Sequence, residues 1–330
     1  MSRPSKSVLW VLSGVIGLFL AGEIFVRWMF RLDCYPLYAV HPTIEYLLQP
    51  SQHIVCNGKT FKTNRWSMRS PDFDRNKSRE EIRVMVFGDS IVHGFPLDQH
   101  ELATSLLTKD LEQTMRRHVV VGNISAGSWG IPNYLAYEQA NGFFDADVVV
   151  LVFSSHDLYD VPTFEPLSPI YQPQTRFHIV SPFGVQKLFG WVKHNSLLLA
   201  QGTTDKNLEH LKAICLKALD DLYQDLQKQA IPLLLVFHYE QDELRAEMIN
   251  EFLDWARVKG VSVVSDREVL IGALKVGKNP YQDFIHLNAL GQSLLEAVIL
   301  DGLCEMGFIH PAAQAPVESK GAPSESSTPQ

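Results

Sequence analysis

Apolar and polar positions divide the chain into stretches of different rhythm. The first, Val8 to Phe30, reads VLWVLSGVIGLFLAGEIFVRWMF. It has about the length that crosses a bilayer as a helix. Glu23 and Arg27 interrupt it near its end. They are four apart, so a helix places them on one face where they can pair, and Arg27 can snorkel to the interface. Trp10 and Trp28 suit the two headgroup belts. A cleaved signal peptide is the rival reading, but the run Phe19-Leu20-Ala21-Gly22 fits a cleavage site poorly. The expectation is a short cytoplasmic tail over 1–7, a transmembrane helix over 8–30, and an exported domain. Arg3 and Lys6 before the span and Arg27 and Arg31 after it give a weak orientation signal.

Residues 31–81 hold Pro36, Pro42, Pro50 and Pro71 between short apolar runs, which predicts short strands and loops. At Ile82 the rhythm changes. The buried run Val84 to Phe87 ends abruptly in Gly88-Asp89-Ser90, the pattern of a parallel strand entering a loop. A helix over Glu101–Arg117, a strand at Val119–Val121, a helix over Tyr134–Ala140 and a strand over Asp147–Phe153 follow. Leu208, Leu211, Cys215, Leu219, Leu222 and Leu226 form one helix face. Leu233–Phe237 and Val261–Val264 are further strands, and Glu243–Lys259 and Ala289–Leu303 further helices, the last with Asn288 as its N-cap. This alternation predicts an α/β domain over 82–310, with a parallel sheet between two helical layers. Pro162 to Trp191, rich in Pro and aromatics, reads as a surface excursion serving as lid or substrate wall. Residues 311–330 lack apolar periodicity and read as a disordered tail.

Composition narrows the function classes. The chain has 330 residues, 46% apolar and 20% charged, with a net charge of −8. That supports a real core and gives no basic face for nucleic acid. Cys34, Cys56, Cys215 and Cys304 show no zinc-type spacing. A Cys34–Cys56 bridge outside the cytoplasm and free or buried thiols are both open. No metal-ligand set and no phosphate-binding glycine loop stands out, so no metal or cofactor is expected.

The chemistry-bearing residues lie at predicted strand ends, where ligands bind in open α/β sheets. A serine hydroxyl needs a base within hydrogen-bond reach and a group that orients the base. Near the end of the chain, Asp283-Phe284-Ile285-His286 offers both. His286 can take the Ser90 proton while Asp283 holds the imidazole tautomer. Alone, each piece is common; Ser90 could equally cap a helix.

Together these motifs resemble the SGNH (GDSL-type) hydrolase superfamily, membrane-anchored bacterial type, over about Ile82 to Leu303. Gly88-Asp89-Ser90 matches its first block and Asp283 to His286 its last. The resemblance implies a three-layer, flavodoxin-like α/β/α sandwich and a Ser90–His286–Asp283 triad. Its second block puts a glycine, a backbone oxyanion donor, shortly after an Asn. Counting from Asn123 puts Ser128 there, with Gly127 one residue early. Its third block presents Asn-Asp, where this chain has His156-Asp157. The resemblance thus implies oxyanion donors at Ser90, Gly127 or Ser128, and His156, an imidazole that can donate a hydrogen bond in place of an amide. Asp157 reads as a turn cap. A softer likeness covers His41-Pro42 to Pro50 and Thr63-Asn64 to Arg69. His93, His238 and Asp266, near strand ends, read as structural or substrate-facing. The implied activity is a serine esterase acting on acyl, in particular acetyl, esters of a cell-envelope glycan or lipid. O-acyl transfer to an exported polysaccharide, or a weakened binding module, are the alternatives.

Overall fold

The computed structural model describes residues 6–30, 35–169, 171–176, 205–245 and 251–309. Five strands form one parallel sheet: β5 (Ile82–Gly88), β6 (Val119–Ser125), β7 (Val148–Phe153), β8 (Leu233–Phe237) and β9 (Ser262–Ser265), in the spatial order β6-β5-β7-β8-β9. The first four are buried throughout; β7 and β8 are apolar at every position, while β5 also buries Arg83 and β6 also buries Asn123 and Ser125 beside their apolar runs. The chain starts at β5, moves to one edge, then crosses back. Right-handed crossovers therefore put the helix of the β5–β6 connection on one face and those of the later connections on the other. Helix α3 (Ala103–Met115) packs against α8 (Ala289–Glu305) on one face. On the other, α4 (Ile131–Asn141) packs against α5 (Asp205–Lys228), and the ring of Trp255, on α6 (Glu251–Lys259), meets Tyr223 of α5. This is the expected three-layer architecture. Strand order reverses between β5 and β7, the place where a ligand crevice opens at the carboxyl ends.

Residues 35–81 pack onto this domain rather than beside it. They hold two antiparallel hairpins, β1 (Tyr38–His41) with β2 (Glu45–Leu48) and β3 (His53–Cys56) with β4 (Lys59–Lys62). The Ser70 hydroxyl bridges β6, donating to Val121 O and accepting from Asn123 N. Tyr38, Tyr46 and Met68 join the same core as the sheet.

Some expectations shift. The predicted helix over Glu243–Lys259 is a 3-10 turn at Glu243–Arg245 and a helix only from Glu251; residues 246–250 lie outside the described set. A helix absent from the sequence reading, α7 (Arg267–Lys275), follows β9. Much of the Pro162–Trp191 excursion and the tail over 311–330 lie outside the described residues. Helix α1 (Lys6–Phe30) coincides with the expected span. Among the described residues, however, no helix is long and apolar enough to cross a membrane. The side chains of Val8, Leu9, Val26, Arg27, Met29 and Phe30 are not among them. Cys56 is disulfide-bonded while Cys215 and Cys304 are free. Cys34 lies outside the described residues.

Candidate active site

Strand β5 ends at Gly88, where a Cβ would stand 2.3 Å from Val92 Cγ2. Only glycine lets the chain turn this sharply into the four-residue helix α2 (Ser90–His93). Asp89 caps that helix, its Oδ1 accepting from Ile91 N at 2.8 Å. Ser90, the first helical residue, faces the crevice. So short a helix has little intrinsic stability, and its carbonyls are held from outside. Ile91 O accepts from Gln292 Nε2 (2.8 Å), Val92 O from Asn123 Nδ2 (2.9 Å), and His93 O from the Arg69 guanidinium. Arg69 also donates to Leu97 O at 2.5 Å, and burial lowers its pKa to about 9. Three distant segments thus fix the turn that carries Ser90. Arg69 and Asn123 fell within the family-like runs; Gln292 gave no sequence signal.

The predicted partners converge. His286 Nε2 lies 2.9 Å from Ser90 Oγ, and His286 Nδ1 lies 2.7 Å from Asp283 Oδ2. Asp283 Oδ1 accepts the backbone N–H groups of Ile285 and His286 at 3.0 and 2.7 Å. Burial would raise the Asp283 pKa, but the hydrogen bonds from His286 and these two amides hold it below the usual range. The carboxylate stays ionised, as an orienting group must.

His156 sits differently from the expectation of a free oxyanion donor. Its Nε2 lies 3.1 Å from Asp89 Oδ2; its Nδ1 lies 2.6 Å from Ser154 Oγ and 3.1 Å from Glu240 Oε1. Both ring nitrogens face carboxylates. Burial would lower the His156 pKa, yet hydrogen bonds to Asp89 and Glu240 push it up to about 12. Carboxylates at both nitrogens favour the imidazolium form, and the ring cross-braces the Ser90 turn and the segment after β8. Asp157 caps its own turn as expected, accepting from Ser154 N at 2.7 Å, and burial raises its pKa to about 8. Asp89, His156 and Asp157 bring ligand-type atoms within 4.8 Å of one another, but the hydrogen bonds above already engage them.

A cleft of about 370 Å³ gathers Asp89, Ser90, Ser128, His156, Asp160, Glu240, Phe284, Ile285 and His286. Of the two oxyanion candidates after β6, Ser128 lines it and Gly127 does not. Ser128 adopts the left-handed conformation (φ 60°) that glycine favours. Its backbone N–H has no protein acceptor among the described residues. Gly127 turns its carbonyl to the Tyr46 hydroxyl at 2.6 Å. His93 is buried against Phe61 and Phe95, and burial lowers its pKa to about 3, so it serves the core as a neutral ring. His238 and Asp266 pair in the interior rather than facing substrate.

No protein-family model and no curated protein matches the chain. Solved structures share its outline at low similarity. A lipolytic protein of the G-D-S-L family from Veillonella parvula is 14% identical, with 67% of this chain and 97% of that one covered and a TM-score of 0.41. A lipase/acylhydrolase from Enterococcus faecalis is 14% identical, covering 70% and 98%, with a TM-score of 0.42. The acetyl xylan esterase AlAXEase is 19% identical, covering 67% and 100%, with a TM-score of 0.41.

Proposed function

We propose that this chain is a serine ester hydrolase of the SGNH type, tethered to a membrane, that removes acyl groups, acetyl in particular, from a cell-envelope glycan or lipid. The single observation that carries the chemistry is the relay Ser90 Oγ–His286 Nε2–Asp283, at 2.9 and 2.7 Å. In this reading Ser90 attacks the ester carbonyl as its proton moves to His286. Asp283 stabilises the imidazolium that forms. The oxyanion takes backbone N–H groups of Ser90 and Ser128, because His156 is committed to carboxylates. Breakdown of the tetrahedral intermediate returns the proton from His286 to the leaving alkoxide. Water then repeats the cycle on the acyl-enzyme and frees the acid. A sugar hydroxyl in place of water would give acyl transfer from the same site.

Helix α1 supports the tether, with Leu18, Trp10 and Trp28 among its outward-facing apolar side chains. The disulfide at Cys56 supports an oxidising compartment for the domain.

A fluorophosphonate probe applied to membranes carrying the full chain tests the chemistry. Labelling of the wild type and none of Ser90→Ala is expected; an unlabelled wild type would sink the proposal. Extraction with alkaline carbonate tests the tether, and release of the chain into the supernatant would count against it. Adding a deacetylated glycan acceptor to the esterase assay separates hydrolysis from transfer.

A further inference from the structure

His238 follows β8 directly and is fully buried. Its backbone N–H donates to Phe153 O of the neighbouring strand at 2.8 Å, which fixes the ring's origin. Its Nδ1 lies 2.5 Å from Asp266 Oδ2, and its Nε2 lies 2.9 Å from Ile285 O. Ile285 stands between Asp283 and His286. A carbonyl only accepts, so Nε2 must carry hydrogen. The carboxylate on the far side secures that arrangement, because it holds the second proton of the ring at Nδ1.

Asp266 is committed to this task. It occupies the N-cap position of α7, yet its side chain makes no cap hydrogen bond. Instead Oδ2 holds His238 and Oδ1 accepts Tyr239 N at 3.0 Å. The segment after β8 carries further supports for the same loop. Gln241 N donates to Phe284 O at 2.9 Å, and the Tyr281 hydroxyl donates to Tyr239 O at 2.6 Å. Among these, only the His238 bond reaches the residue next to His286.

We propose that His238, oriented by Asp266, is a positioning residue: through the Ile285 carbonyl it fixes the Asp283–His286 loop and so sets the base against Ser90. The inference rests on the triad reading above. Asp266 faces Nδ1 of His238 as Asp283 faces Nδ1 of His286, and here the carboxylate stabilises the ring with hydrogen on both nitrogens, so that Nε2 donates. The two histidines differ in target. His286 faces a hydroxyl and can accept its proton; His238 faces a carbonyl and can only hold it. A misplacement of about 1 Å at a reacting group can cost about 10²-fold in rate, so a rigid loop anchor has a catalytic consequence.

The test compares two double variants of the full chain in p-nitrophenyl acetate hydrolysis. His238→Leu with Asp266→Asn removes the donor without stranding a carboxylate. His238→Gln with Asp266→Asn keeps an amide nitrogen where Nε2 stood. The donor-less variant should lose about 10- to 100-fold in kcat, with KM little changed and the acid limb of the kcat/KM–pH profile displaced. The Gln variant should recover most of the rate and the wild-type limb. A folded donor-less variant with wild-type kcat and pH profile overturns the proposal. If that variant does not fold, Asp266→Asn alone decides. A reduced kcat with a displaced limb supports the role, and wild-type behaviour overturns it. Labelling of Ser90 in the wild type separates this outcome from failure of the triad. With Ser90 labelled, a null result at His238 overturns only the positioning role; with Ser90 unlabelled, both fall.

Discussion

Nε2 of His156 lies 3.1 Å from Oδ2 of Asp89, the residue that immediately precedes Ser90. Asp89 is fully buried. Burial would raise its pKa, but the hydrogen bond and charge of His156 hold it below the ordinary carboxylate range. The pair locks the turn that carries Ser90 to the loop after β7.

His156→Asn therefore leaves a buried carboxylate without its cation. We expect a loss of about 3 kcal/mol in urea unfolding, the scale of a broken buried pair, and a fall in activity. The double variant Asp89→Asn/His156→Asn should regain part of the stability. The resemblance alone points the other way, since Asn is the residue its pattern has here and would retain or raise activity. Unchanged stability with raised activity would restore that view.

Asp283→Asn should leave folding nearly intact, because the side chain is 41% exposed. It should lower kcat by about 10²–10⁴-fold, since the amide no longer enforces the tautomer of His286. Steady-state kinetics with a melting curve checks both halves. A melting point that falls along with kcat would place Asp283 in the scaffold instead.

Stability should rise as pH falls from 8 to 6. Burial, with nearby carboxylates, raises Glu138 and Glu296 to about 7, and Glu138 Oε2 and Glu296 Oε1 lack partners. Burial raises Asp157 to about 8 and Asp160 to about 6. In this window the native state binds protons that the unfolded chain does not, so stability falls as pH rises. The raised His156 acts in the same direction: its contribution is full below the unfolded value and lost toward about 12. His93, lowered to about 3, opposes them as pH drops below 6.5. Melting temperatures from pH 8 to 6 check the sign, and Glu138→Gln should flatten the slope.

Ser128, which lines the cleft, and the buried Gly130 two residues on should respond oppositely. Ser128→Gly relieves a left-handed backbone that costs about 1 kcal/mol in an L-residue, partly offset by a freer unfolded chain. Activity should survive, because the backbone N–H remains. Gly130→Ala would bring a Cβ to 2.1 Å from Asp160 O, so backbone must move at the cleft wall. A destabilisation of about 1–3 kcal/mol with reduced activity is expected. Paired unfolding and kinetic measurements on the two variants would expose either error.

The sheet is legible in the chain because strands buried on both faces carry runs of consecutive apolar residues, as in Val84–Phe87, Val148–Phe153 and Leu233–Phe237. The members of the proposed triad were legible too, because Gly88-Asp89-Ser90 and Asp283-x-x-His286 are short motifs whose residues lie close together in the chain. Helix α7 left a weak signal because it is only nine residues long and follows a half-exposed strand. The supports depend on the packed fold. Gln292 and Arg69 hold α2 through single long-range hydrogen bonds, which leave no periodic trace. His156 offers the same imidazole in either role. Its neighbours Asp89 and Glu240, brought beside it from other strand ends, make it a charged brace. Ser90 is likewise aimed by carbonyl contacts to residues far away in the chain, and those depend on how the layers close.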